Sequence, residues 1–262
     1  MTQLVSQLRS LGVQPAIVLL VHTSFSKVGP LDGGPDELID ALIEAVGPEG
    51  TVTMPSWTAD DEALFDTSST STRDHLGIVS EVFWQRPGVL RGDHPFAFAA
   101  IGPQAEFITS APFVLPPHAK DSGVARVHDL DGWVLLLGVD HDSNTTIHYA
   151  ELTAGVPYWQ SNYITVLVDG RPKKVFYGEN DSCCQGFNMA GEWLRQRGLQ
   201  REGKVGNADA ILVRSRDVVD TVVAELRDDL TRFLHPRGSD CDECEEAWVS
   251  VVESAARSAA TG

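Results

Sequence analysis

Trp133-Val134-Leu135-Leu136-Leu137-Gly138-Val139 is an apolar run broken by a glycine. Asn144-Thr145-Thr146-Ile147-His148-Tyr149-Ala150-Glu151 follows it after a polar turn over 140–144. A run of this length closed by Gly138 predicts a buried strand. Asn144 or Thr145 can cap a helix that opens after the turn. A strand feeding a helix is the repeating unit of α/β folds, and reactive groups are commonly displayed where the one passes into the other. His148 and Glu151 are three residues apart, so in that helix they share one face. A carboxylate beside an imidazole can fix its tautomer and stabilise the imidazolium, which makes His148 a candidate general base. The same pattern also suits a buried histidine that caps a neighbouring strand.

Toward the N-terminus, residues 3–11 predict a short helix and 16–22 a buried strand. Gly33-Gly34-Pro35 then introduces a helix with Leu38, Leu42, Ile43 and Val46 on one face and Gly47 as its stop. Residues 51–55 predict a strand. Residues 59–75, rich in Asp, Ser and Thr, predict a long surface loop of the kind that is usually functional. A helix over 76–84, ended by Pro87, and a strand over 96–101 follow. Toward the C-terminus, 164–168 and 173–177 predict a hairpin around Asp169-Gly170, and 186–198 and 217–234 predict helices. No repeat and no linker interrupts the chain. The expectation is a single α/β domain over residues 1–262, with a central mixed β-sheet flanked by helices and a small hairpin and helical insert.

With 262 residues, 42% of them hydrophobic, the chain can build a core. No apolar run approaches a membrane span. The N-terminal segment alternates polar and apolar residues at helical spacing and lacks the apolar core of a signal peptide. A cytoplasmic protein is expected, with no membrane partner. Thirty-seven acidic against 20 basic residues give a net charge of −17. Such a charge repels nucleic acid and favours cationic ligands, though surface acidity alone also accounts for it. Asp60, Asp61, Glu62, Asp66, Glu179 and Asp181 all fall in predicted loops, where an acidic rim would attract a polycation. His22-Thr23-Ser24-Phe25-Ser26-Lys27-Val28-Gly29 joins a strand to a helix. Its hydroxyls and amides could hold phosphate oxygens, or it is an ordinary serine-rich loop.

The four cysteines form two pairs, Cys183-Cys184 and Cys241-Asp242-Glu243-Cys244. In a reducing compartment disulfides are not expected. The CxxC spacing is half of a zinc site that Cys183 and Cys184 could complete. Neighbouring side chains diverge, so His235 or another histidine could stand in for one of that pair. Free thiols and redox chemistry are the alternatives. A structural zinc held by Cys183, Cys184, Cys241 and Cys244 would pin the C-terminal tail and take no part in catalysis.

Asn144 to Glu151 resembles the NTxxHxAE signature of the antibiotic N-acetyltransferases, the aminoglycoside 3-N-acetyltransferase family. Val18-Leu19-Leu20-Val21-His22-Thr23-Ser24-Phe25, Gly50-Thr51-Val52-Thr53-Met54-Pro55-Ser56-Trp57 and Arg91-Gly92-Asp93-His94-Pro95 resemble further family segments in the family's order. Glu179-Asn180-Asp181-Ser182-Cys183-Cys184 and the C-terminal CxxC resemble the type IV subgroup. Asp121-Ser122-Gly123 departs from the Gly-Ser-Pro turn of many relatives. The resemblance implies transfer of acetyl from acetyl-coenzyme A directly to an amine on the deoxystreptamine ring of an aminoglycoside, which confers antibiotic resistance. It implies that Ser24, Lys27, Val28 and Gly29 line the acetyl-coenzyme A site, and Asp60, Glu179 and Asp181, in polar segments flanking the expected site, are the candidates to meet the cationic substrate. His148, of reference pKa about 6.5, would be the base. Asp181 or Glu151 would orient it, and Thr145 or Thr146 would donate to the oxyanion. The chain would act as a monomer or homodimer. Three other readings stay open: an acetyltransferase of the same fold acting on a different amine, a non-catalytic aminoglycoside-binding protein, and a zinc hydrolase built on His22, His148 and Glu151.

Overall fold

The computed structural model of the protein describes residues 1–58, 60–180 and 183–261, with residues 255–261 as backbone alone. The strands in chain order are β1 (Val18–Thr23), β2 (Thr51–Pro55), β3 (Leu90–Arg91), β4 (Phe98–Ile101), β5 (Trp133–Leu137), β6 (Gln160–Val168), β7 (Arg171–Glu179), β8 (Gln200–Val205) and β9 (Ala208–Arg214). The helices are α1 (Thr2–Leu11), α2 (Phe25–Val28), α3 (Gly34–Val46), α4 (Arg73–Trp84), α5 (Ala105–Thr109), α6 (Gly123–Asp129), α7 (Thr145–Ala154), α8 (Asn188–Gln196), α9 (Ser215–Leu226) and α10 (Asp242–Thr261). Seven strands make one mixed sheet in the order β3-β4-β2-β1-β5-β9-β8, and β6 and β7 pair separately. β1 runs parallel to β2 and β5, and the remaining pairs are antiparallel.

β5 lies near the middle of the sheet, and its alternation divides the core. Leu135 and Leu137 face one side and pack with Leu19, Val21, Leu38 and Leu42, the layer of α1 and α3. Val134 and Leu136 face the other side with Leu20, Ile147, Ala150, Val218 and Val222, the layer of α7 and α9. Successive strand side chains point to opposite faces, so an unbroken apolar strand needs cover on both. All four β5 residues are fully buried. Each contributes about 1.5–3 kcal/mol by leaving water.

The strand ends where Gly138 takes φ +69, and a Cβ there would lie 3.0 Å from Lys27 Cβ and 3.1 Å from the Ser24 carbonyl. Only glycine lets the ends of β1 and β5 approach this closely. The turn then delivers Asn144, whose side chain accepts from the Thr146 amide at 3.1 Å and caps α7. Gly155, in the left-handed region, closes the helix. α7 buries Thr145, Thr146, Ile147, His148, Ala150 and Glu151, and it packs on α9 and α6. His148 is thereby held at the carboxyl end of the sheet.

β6 and β7 turn through Asp169 and Gly170, both at positive φ, and pair from Val168↔Arg171 to Gln160↔Glu179. The predicted hairpin is therefore present with longer strands. α9 stops at Leu226 rather than running to 234. Asp229 accepts from the Thr231 amide and hydroxyl, a local turn that competes with helix. The β8–β9 hairpin and α10 are elements that the pattern did not predict. No helix among the described residues is long and apolar enough to cross a membrane.

Candidate active site

His148 Nδ1 lies 3.2 Å from Glu151 Oε2, and both side chains are buried, 5% and 1% exposed. The i,i+3 spacing on α7 makes this contact. Glu151 is fixed from behind. Asn180 Nδ2 donates to Oε2 at 2.8 Å, and the Tyr158 hydroxyl donates to Oε1. Burial pushes the Glu151 carboxyl above the usual range, while the bonds from His148, Tyr158 and Asn180 pull it back. Burial and the adjacent carboxylate push Tyr158 well above the ordinary phenol. With Nδ1–H directed at the carboxylate, Nε2 is left as the acceptor. The ring stacks on His118, centroids 5.1 Å apart, and meets the edge of Phe187 at 4.8 Å.

His148 opens onto a cavity of about 360 Å³ that is also lined by His22, Thr23, Trp57, Thr145 and Cys184. Thr145 Oγ1 is 3.0 Å from His22 Nε2. Burial drives the His22 imidazole down to about 3, so it stays neutral at working pH. Thr146 is fully buried, so of the two threonines only Thr145 reaches the cavity. Trp57, His75 and His118 are shared with a neighbouring cleft of about 190 Å³ whose wall includes Asp61, Phe96, Asn162, Tyr177 and Glu179. Burial and the nearby Asp60 raise the Asp61 carboxyl. Asn162 Nδ2 donates to Glu179 at 2.6 Å.

Several predicted site residues lie elsewhere. The Asp60 carboxylate accepts from the amides of Glu62 and Ala63, so it orders its own loop while Asp61 takes the wall. Asp181 lies outside the described residues; among the described residues, Glu151 brings its carboxylate to His148. Beyond β1, Ser24 and Gly29 flank the short helix α2, half-buried, and Lys27 lies within it, exposed. The Val28 side chain belongs to the core, 1% exposed, and its carbonyl accepts from the Asn207 amide. His118, Tyr158, Asn162 and Tyr177 were not foreseen. They come from the loop before α6, the stretch running into β6, and β7, and carry no shared spacing signal. Asn180 lies inside a segment that the sequence singled out, but nothing there ties it to Glu151.

Cys183, Cys241 and Cys244 do converge, and the fourth member is His235, with all ligand atoms within 4.8 Å of one another. His235 Nδ1 is 3.5 Å from Cys244 Sγ and 3.7 Å from Cys183 Sγ. Three thiols and an imidazole at these separations suit tetrahedral zinc. The His235 amide also donates to Cys244 Sγ at 3.3 Å, an outer bond that steadies a thiolate. Cys184 is absent from the group because adjacent side chains diverge, and its Sγ lies 3.5 Å from His148 Nε2. His22, bonded to Thr145, forms no metal group with His148 and Glu151 among the described residues.

A family model described as aminoglycoside 3-N-acetyltransferase matches residues 20–227. Aminoglycoside N(3)-acetyltransferase IV of Salmonella sp is 54% identical over 234 residues, 89% of this chain and 90% of the relative. The solved structure of a mutant of aminoglycoside acetyltransferase AAC(3)-IVa in complex with a gentamicin superposes with a TM-score of 0.93 at 53% identity, covering 95% of this chain and 96% of that one. A binary complex of AAC-IIIb with CoASH superposes at 0.77 with 28% identity, covering 87% and 96%.

Proposed function

This chain belongs to the aminoglycoside 3-N-acetyltransferase family, and on that premise we propose that His148 is the base through which it works. The enzyme moves acetyl from acetyl-coenzyme A to the 3-amine of the deoxystreptamine ring, the reaction that confers resistance. An ammonium has no lone pair, so the amine must lose a proton before it can attack the thioester. His148 Nε2 accepts that proton, and Glu151 at 3.2 Å holds the tautomer and stabilises the imidazolium. The base passes the proton to the departing coenzyme A thiolate.

The oxyanion that forms on the thioester carbonyl needs a donor. A neutral His22 whose Nε2–H donates to Thr145 Oγ1 leaves the threonine hydrogen free for that oxygen. One well-placed donor contributes about 3 kcal/mol to such a transition state. Asp61 and Glu179, with the ring faces of Trp57 and Tyr177, make a wall suited to a polycationic sugar. Ser24, Lys27 and Gly29 provide surface contacts for coenzyme A. The chain acts as one domain over residues 1–262, in the cytoplasm, as a monomer or homodimer. Cys183, His235, Cys241 and Cys244 hold a structural zinc.

The observation that carries this reading is a buried Glu151–His148 pair whose second ring nitrogen opens beside an acidic wall. A thiol-release assay with acetyl-coenzyme A and a panel of aminoglycosides tests it. Release is expected only where a 3-amine is present, and binding of aminoglycosides without release would reduce the protein to a binding module.

A further inference from the structure

Cys183 and Cys184 are consecutive, and their thiols part company. Cys183 turns to His235, Cys241 and Cys244. Cys184, half-buried, brings its sulfur to 3.5 Å from His148 Nε2 and lines the same cavity as Thr145. Behind the imidazole stand Nδ1, Glu151 Oε2 at 3.2 Å and the bonds from Asn180 and Tyr158. A thiol, an imidazole and a buried carboxylate in that order form the arrangement in which a cysteine accepts an acyl group, because the histidine takes its proton as sulfur attacks. Direct transfer to an amine gives this thiol no task.

We propose that Cys184 is a second acyl acceptor of this site: with acetyl-coenzyme A bound and no amine present, it takes the acetyl group onto its sulfur and discharges it to water. This rests on the acetyltransferase reading above. In the first step the thiol proton moves to His148 Nε2, the Cys184 Sγ–carbon bond forms and the carbon–sulfur bond to coenzyme A breaks. The leaving thiolate takes the proton back from His148. One thioester replaces another, so no oxidant or further reactant is needed. In the second step water gives a proton to His148 and attacks the acetyl carbon, and the Cys184 sulfur leaves and is reprotonated, releasing acetate. An amine seated against Nε2 takes the base for itself. The cysteine route therefore operates when the antibiotic is absent.

The test uses purified full-length enzyme in a non-thiol reductant, with acetyl-coenzyme A and no aminoglycoside. Acid quenching, digestion and fragment mass spectra are expected to find one acetyl group on Cys184 and none on Cys183. Coenzyme A release without amine, divided by release with amine, is expected to fall about tenfold or more in Cys184→Ala. His148→Ala, which keeps the thiol, is expected to lose the acetyl adduct as well. An unmodified Cys184 together with an unchanged ratio in Cys184→Ala overturns the proposal, as does acetyl found on Cys183 instead. Wild-type enzyme that acetylates no aminoglycoside in the parallel reaction would fail the family reading, a separate outcome.

Discussion

In the mechanism proposed above His148 acts through one nitrogen, and the groups around its ring restrain it. His148→Ala is expected to cut turnover by about two to four powers of ten in a folded protein. Near-normal steady-state rates in the variant would remove the histidine from the mechanism. Tyr158→Phe strips one donor from a buried carboxylate, a desolvation cost of about 1–3 kcal/mol. It should appear as a lower kcat with little change in the KM for acetyl-coenzyme A, since Tyr158 lies behind Glu151 rather than on the cavity wall. His22 sets a pH dependence of stability. Its folded pKa, about 3, lies below the unfolded 6.5, so only the unfolded state gains a proton in between. This contribution is whole above pH 6.5 and is lost as pH falls toward 3. Urea midpoints across that range should fall less steeply in His22→Gln than in wild type, and parallel curves would contradict the assignment. At this scale the sequence displayed His148 and Glu151, because a helix turns i,i+3 spacing into contact. Tyr158, Asn180 and His118 were hidden because their contacts come from folding, between segments with no shared period.

Helix α7, which carries the proposed base, depends on its cap. Asn144→Ala removes the acceptor for the Thr146 amide and should lower stability by about 1 kcal/mol, readable as a drop in Tm. The acidic wall is split between two elements, with Asp61 on the loop before α4 and Glu179 at the end of β7. Screening weakens exposed charge pairs. The KM for aminoglycosides should therefore rise with ionic strength, and more gently in an Asp61→Asn, Glu179→Gln double variant. An identical salt response in that variant would shift substrate steering to other residues. Elements with an apolar period were legible: α1, α3, β1, β2, β5 and the β6–β7 hairpin. β8 was not, because Arg201, Glu202, Gly203 and Lys204 lie on an exposed edge where no burial pattern is imposed. α10 opens on Asp242, Glu243, Cys244 and Glu245, an acidic and cysteine-bearing turn that reads as a metal loop before it reads as a helix.

Across the whole molecule, the four-ligand cluster joins the start of α10 to the segment before α8 and to His235. Zinc is expected at one equivalent in protein purified without chelator, and Cys241→Ser should lower Tm more than it lowers turnover measured well below melting. Metal-free protein with four titratable thiols would remove the site. Three of the four cysteines named from the sequence converge in the fold and Cys184 does not, since only the fold decides which of two adjacent side chains turns inward. The β6–β7 hairpin stands apart from the seven-stranded sheet, with Leu167 and Phe176 exposed, and meets the acidic loop through Thr165 on the Asp61 carbonyl and Lys174 on Glu62 at 2.6 Å. Asn162, Tyr177 and Glu179 thus reach the proposed substrate wall from a separate two-stranded sheet, while Trp57, His75 and His118 belong to that wall and to the cavity of His148 alike. On the proposed reading, substitutions confined to the hairpin would redraw which drugs are accepted while α7 and the sheet keep their registry, so a lineage under changing antibiotic pressure would drift in spectrum without rebuilding its catalyst.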